Sequence, residues 1–328
     1  MRRVHVLALG GTIAMTAPAG GGVVPRLGAE ELLAGVPGLA QVAEVSTEQV
    51  LQVPSASLRP SDVVRLAERV EEVLGQGVDG VVVTQGTDTL EESAFLLDLL
   101  LERGPVVVTG AMRPPGSPGA DGPANLAAAV RVACSPRARG LGVLVALDEQ
   151  VHAAARVRKV RTFGPAAFAS PGGGPLGWVA EGELHLLARP EPLPRVPRPA
   201  PETLDEVWVP VVPVGLGESP RHLEAVAAAG CDGLVLEAVG AGHVPADLVE
   251  PLAALASRLP VVLASRTGAG PVHTRTYGYR GSERELLEAG LVPAGWFDAR
   301  RARVLLGTLI AAGVREGFER WFSAARDA

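Results

Sequence analysis

Apolar residues fall into two patterns along this chain. Short unbroken runs rich in Val and Leu stand before glycine-containing turns at residues 4–9, 80–84, 105–109 and 141–147. Continuous rather than alternating hydrophobicity predicts strands buried on both faces, as in a parallel sheet. Between these runs the period changes. From Ser61, the positions Val63, Leu66, Ala67, Val70 and Leu74 recur about every 3.6 residues until Gly75 and Gly77 stop them, which predicts a helix. A second helix is predicted from Thr89-Leu90-Glu91-Glu92 to near residue 103, with Thr89 capping the first turn and Glu92 reaching back to it. A third follows Asp121-Gly122-Pro123 and runs to near residue 133. Strand, loop and helix in alternation predict an open, mostly parallel α/β sheet with helices on both faces.

Six prolines then interrupt the pattern: Pro190, Pro192, Pro194, Pro197, Pro199 and Pro201. They predict a semi-rigid, extended linker over residues 189–205. Beyond it the alternation resumes, with strands expected at 207–214, 233–237 and 260–264 and helices from Ser219, Pro245 and Ala299. The chain therefore reads as a larger N-terminal α/β domain over residues 1–188 and a smaller C-terminal α/β domain over 206–328.

Charge and composition narrow the functions open to such a fold. With 30 Lys and Arg against 36 Asp and Glu, the net charge of −6 offers no electrostatic footprint for nucleic acid or an anionic membrane. Apolar runs are broken well before the roughly 20 residues needed to span a bilayer, and the run after Arg2-Arg3 is too short for a signal peptide. A soluble protein is expected. Cys134 and Cys231 are far apart and form no Cys-x-x-Cys pattern, so a reducing cytoplasm fits best. Of the 30 basic residues 29 are Arg, and the single lysine is Lys159.

Familiar ligand motifs fail. There is no phosphate loop of the G-x-x-x-x-G-K type, no G-x-S-x-G elbow and no H-E-x-x-H. The glycines from Gly172 to Gly177 match a dinucleotide fingerprint only by chance, since no predicted strand leads into them. The six histidines lack ligand spacing, so no metal is implied. What remains is rich in threonine and sits at the carboxyl ends of predicted strands, where open parallel sheets bind ligands. One strand ends in Gly10-Gly11-Thr12-Ile13-Ala14 and another in Thr84-Gln85-Gly86-Thr87-Asp88-Thr89. A hydroxyl is a poor nucleophile until a base takes its proton. Lys159 is a candidate for that base, although a lysine amine with its ordinary pKa of about 10.4 must be brought toward 7 at a cost of roughly 4 to 5 kcal/mol. Arginine could not serve, because it does not deprotonate. Each loop taken singly also reads as a tight turn with a helix cap.

Taken together, Gly10-Gly11-Thr12-Ile13-Ala14, Thr84-Gln85-Gly86-Thr87-Asp88-Thr89-Leu90-Glu91-Glu92, Val108-Thr109-Gly110-Ala111-Met112-Arg113 and Arg156-Val157-Arg158-Lys159 resemble, in order and spacing, the bacterial L-asparaginase family. Arg301-Ala302-Arg303-Val304-Leu305-Leu306 is similar to that family's late signature, so the resemblance spans almost the whole chain. It implies a two-domain α/β amidohydrolase of cytoplasmic type that releases ammonia from the side chain of L-asparagine without a cofactor. It also implies a homodimer or homotetramer with sites near the interface. By the resemblance, Thr12 matches the nucleophile and Thr87, Asp88 and Lys159 the second catalytic group, in which Lys159 and Thr87 form a hydrogen-bonded relay and Asp88 binds the substrate's α-ammonium. Ser55 matches the serine that holds the α-carboxylate, with Ser57 as the rival. Glu283 matches a carboxylate that approaches the neighbouring subunit's site, or is simply an acid opening a helix.

Two departures stand out. Many members carry a Tyr in the loop after the first motif, but the only tyrosines here are Tyr277 and Tyr279, so residues 15–28 supply none. That loop, with Gly20, Gly21 and Gly22, reads as a flexible lid in which Thr16 is the remaining hydroxyl. The family's Asn near the α-amine is replaced around Gly240-Ala241-Gly242-His243, which leaves a glutaminase-leaning enzyme open. A catalytically inactive amino-acid sensor is the reading from another class, and the joint presence of Thr12, Thr87 and Lys159 argues against it.

Overall fold

The computed structural model describes residues 1–16, 24–25, 28–102 and 104–327. They form two units, Met1–Arg195 and Val196–Ala328.

The first unit is built on an eight-stranded sheet. Its parallel part runs Glu44–Gln49, Arg3–Ala8, Gly80–Thr84, Val106–Thr109 and Val143–Leu147 in spatial order. Three antiparallel strands, Gln150–Ala153, Gly177–Ala180 and Glu183–Leu186, extend it beyond Val143–Leu147. The unbroken apolar runs are buried on both faces. On one face Val4, Val6, Val82, Val107 and Leu144 share a core with Leu126, Ala129, Val130 and Ala133 of the helix Gly122–Cys134. On the other, Leu7, Val81, Val83 and Val145 are fully buried, and the helices Pro60–Gly75 and Leu90–Leu100 pack on this side. The helix Pro60–Gly75 buries Val63, Leu66, Ala67 and Val70, the stripe that the 3.6-residue period picks out.

The second unit holds a four-stranded parallel sheet in the order Val211–Pro213, Leu234–Ala238, Val261–Ser265 and Val292–Pro293. Val212, Leu234, Leu236, Val261 and Leu263 share its core with Leu223, Leu252 and Leu286 from the helices.

Several sequence expectations are corrected in detail. The strand expected at 207–214 is confined to Val211–Pro213. The proline-rich stretch has no regular structure until Pro201, where a short helix, Pro201–Glu206, begins, because proline suits a first helical turn. Thr89 precedes the helix Leu90–Leu100 but its side chain does not cap it. Its hydroxyl donates instead to the Ser55 carbonyl oxygen at 2.9 Å.

Candidate active site

Four segments meet at the carboxyl ends of the parallel strands. The first strand leads into Gly10-Gly11-Thr12, where Thr12 opens a single 3-10 turn, Thr12–Ala14, with Ile13 and Ala14 buried beneath it. The strand Gly80–Thr84 leads into Gln85-Gly86-Thr87-Asp88. The Leu9 N–H donates to the Thr84 carbonyl at 2.8 Å, and the Val53 N–H donates to the Leu9 carbonyl at 3.1 Å, so three chain segments leave the sheet side by side.

Glycine lets the backbones come this close. Gly11 has φ 86°, and a Cβ there would collide with the Gly86 backbone. A Cβ on Gly86 would in turn lie 2.7 Å from Ser55 Oγ. The loops that carry Thr12, Thr87 and Ser55 are thus packed together at two residues without side chains. Ser55 itself is buried, and its Oγ accepts from the Asp88 N–H at 3.1 Å. Ser57 is exposed, so it is Ser55 that joins the Asp88 loop.

Lys159 enters from a two-residue strand, Arg158–Lys159, paired with Phe168–Ala169. Its Nζ donates to Thr87 Oγ1 at 2.9 Å and to Asp88 Oδ1 at 2.7 Å. Thr87 is buried and the Asp88 side chain is 68% exposed, so the amine bridges the floor of the site and its open rim.

Glu283 lies in the second unit, opening the helix Glu283–Glu288. Its side chain is fully buried. One carboxylate oxygen accepts from the backbone N–H of Thr276 at 2.9 Å and of Tyr277 at 2.8 Å, and the other lies 3.2 Å from His243 Nε2. Burial pushes the carboxyl pKa up, but these hydrogen bonds outweigh it and hold it below the usual range. The loop 15–28 is described only at its ends, where Met15–Thr16 pairs antiparallel with Val24–Pro25. Residues 17–23 and 26–27, including Gly20 to Gly22, and the Thr16 side chain lie outside the described residues.

A family model described as asparaginase, N-terminal, matches residues 3–192, and one described as glutaminase/asparaginase C-terminal domain matches residues 209–322. The chain belongs to the asparaginase family. It is 40% identical to a probable L-asparaginase of Deinococcus radiodurans, over 98% of this chain and 97% of that protein. To an L-asparaginase of Bacillus licheniformis it is 31% identical, over 97% and 99% of the two chains. Its fold matches the crystal structure of a probable cytoplasmic L-asparaginase from Campylobacter jejuni with a TM-score of 0.85 and 27% identity, covering 98% of this chain and 99% of that one. No helix among the described residues is long and apolar enough to cross a membrane.

Two supports of this asparaginase-family site escape the motif reading. Gln85 is buried, and its Nε2 donates to the Gly86 carbonyl and to Ser93 Oγ, both at 3.3 Å, which ties the Gly86 loop to the helix Leu90–Leu100. Asp121 stands just before the helix Gly122–Cys134, and its carboxylate accepts from the N–H groups of Met112 and Arg113 at 2.9 and 2.8 Å. Asn125 adds a bond from Nδ2 to the Gly110 carbonyl at 3.0 Å. The signal for Gln85 and Asn125 was a polar residue at the end of an apolar strand or inside an apolar helix, where an unpaired side chain is costly.

Proposed function

We propose that the chain hydrolyses the side-chain amide of L-asparagine to L-aspartate and ammonia through a threonine ester. The observation that carries this reading is the Lys159 amine within hydrogen-bond reach of both Thr87 Oγ1 and Asp88 Oδ1, inside motifs that match the family. In this scheme Thr12 Oγ1 attacks the side-chain carbonyl carbon, its proton passes to the departing nitrogen, the C–N bond breaks and ammonia leaves. Water then attacks the ester, restoring the Thr12 hydroxyl and releasing aspartate. Lys159 and Thr87 relay the proton between nucleophile or water and leaving group.

Asp88 binds the α-ammonium at its exposed side. The carboxylate then contacts both the Lys159 amine and the substrate's α-ammonium. Ser55 Oγ already accepts from the Asp88 N–H, which leaves its own hydrogen to donate to the α-carboxylate. With no tyrosine in residues 15–28, a water carries the proton from Thr12 in this scheme. The burial of Glu283 and its 3.2 Å contact with His243 support an indirect part for it, orienting His243, while a homodimer or homotetramer rests on the family match. Two free cysteines support a reducing cytoplasm.

A coupled ammonia-release assay on L-asparagine and L-glutamine tests the reading. Higher kcat/KM for asparagine is expected. No release from either amide would point to an amino-acid sensor, and preference for glutamine would overturn the substrate assignment.

A further inference from the structure

We infer that Glu91 is a positioning residue that sets the reach of the Lys159 amine by holding the lysine's backbone N–H. The inference rests on the relay reading above. Glu91 Oε2 accepts from the Lys159 N–H in a short hydrogen bond. Thr87, Asp88 and Glu91 belong to one five-residue stretch, so that stretch grips Lys159 at both ends: Nζ at Thr87 and Asp88, and the backbone at Glu91.

The grip answers a mechanical need. Lys159 hangs from a two-residue strand whose ladder partner, Phe168–Ala169, is equally short, and a two-stranded ribbon is marginal by itself. A lysine side chain also loses up to about 2 kcal/mol of rotamer entropy when it is fixed in one geometry. Anchoring its main chain to the segment that carries its side-chain partners removes one source of that freedom and keeps donor and acceptor in register. An acidic residue in a first helical turn ordinarily faces solvent and favours the helix dipole. Glu91 is instead buried, 5% exposed, and directed at Lys159. A carboxylate is kept in such a place only when it is hydrogen-bonded.

The role requires an acceptor at a set distance rather than a charge. Gln supplies that acceptor, Ala removes it, and Asp withdraws it by one methylene. The test compares E91Q, E91A and E91D in kcat and KM for asparagine, with fold checked by circular dichroism. Lys159 is the only lysine, so selective 15N-lysine labelling gives one backbone amide signal and reads the contact without reference to activity. We expect E91Q to keep kcat within about three-fold, and E91A and E91D to lose about 10²-fold in kcat with KM nearly unchanged, the loss that a displacement near 1 Å brings. The amide proton should move upfield in E91A and E91D but not in E91Q.

E91A or E91D with wild-type kcat, E91Q as impaired as E91A, or a loss carried by KM would overturn the inference. Should E91A not fold, E91D against E91Q decides by the same criteria. A fully active K159R would instead defeat the relay reading, and the inference with it, even with the amide shift present. An inactive K159R beside an active E91A would overturn the Glu91 inference alone.

Discussion

Lys159 and Asp88 form an ion pair, Nζ to Oδ1 at 2.7 Å, with the lysine side chain 18% exposed and the carboxylate 68% exposed. Solvent screening keeps such a half-open pair weak as a stabilising contact. In the proposed scheme the pair is shared: the open side of the carboxylate takes the substrate cation while the inner side still faces the amine.

Asp88→Asn should therefore raise KM for asparagine by about 10²-fold, the scale for removing one member of a hydrogen-bonded charge pair, and lower kcat as well. Saturation kinetics on the purified variant check this. A KM unchanged from wild type would take Asp88 out of substrate binding.

Thr12→Ala should reduce kcat by at least about 10³-fold while leaving the melting temperature close to wild type, since a half-buried loop hydroxyl contributes reactivity and little packing. Thermal melts and ammonia release on the same sample separate the two effects. Substantial turnover in that variant would move the nucleophile to Thr87.

Gly11→Ala should cost about 3 kcal/mol or more, through a positive φ that alanine adopts poorly and a Cβ that meets the Gly86 backbone. Denaturant unfolding measures it. Loss of activity is expected even where the variant remains folded, because relief of the clash pushes Thr12 away from Thr87.

The architecture was legible where one physical pattern dominated. Fully apolar runs marked the central strands such as Gly80–Thr84, and the stripe Val63, Leu66, Ala67 and Val70 marked the helix Pro60–Gly75. The edge strand Glu44–Gln49 was not legible, since Glu-Val-Ser-Thr-Glu-Gln is half solvated and takes its conformation from pairing with the first strand. In the site, Thr12, Thr87, Asp88 and Lys159 stood out by residue type and motif. Glu91 and the Thr89 hydroxyl did not, because local reading assigns both to a helix start, and only the fold brings Lys159 and Ser55 to them.

Two buried groups outside the site should oppose each other in pH-dependent stability. Burial raises the Asp98 pKa from 3.8 to about 6, against the Val143 N–H and Arg195, which lower it. Burial lowers the His152 pKa from 6.5 to about 4. Between roughly pH 4 and 6 the native state holds a proton on Asp98 that the unfolded chain has released, so acidification stabilises through this group. In nearly the same window the unfolded chain protonates its histidine while native His152 stays neutral, so acidification destabilises through that one. Each amounts to about 3 kcal/mol, and together they nearly cancel. Asp98→Asn should thus lose stability on going from pH 6.5 to 4 relative to wild type, and His152→Gln should gain it. Urea unfolding at both pH values would contradict this if both variants kept the wild-type slope.

The most direct test of the account is kcat for ammonia release from L-asparagine by Lys159→Arg at neutral pH, beside wild type. Arginine keeps the positive charge and the attraction to Asp88 but cannot give up its proton. The account predicts a loss of at least about 10³-fold in kcat with the fold retained, within the range that acid–base catalysis supplies. Retention of most of the wild-type kcat would contradict it, leaving Lys159 as a counter-charge and the proton relay without a base.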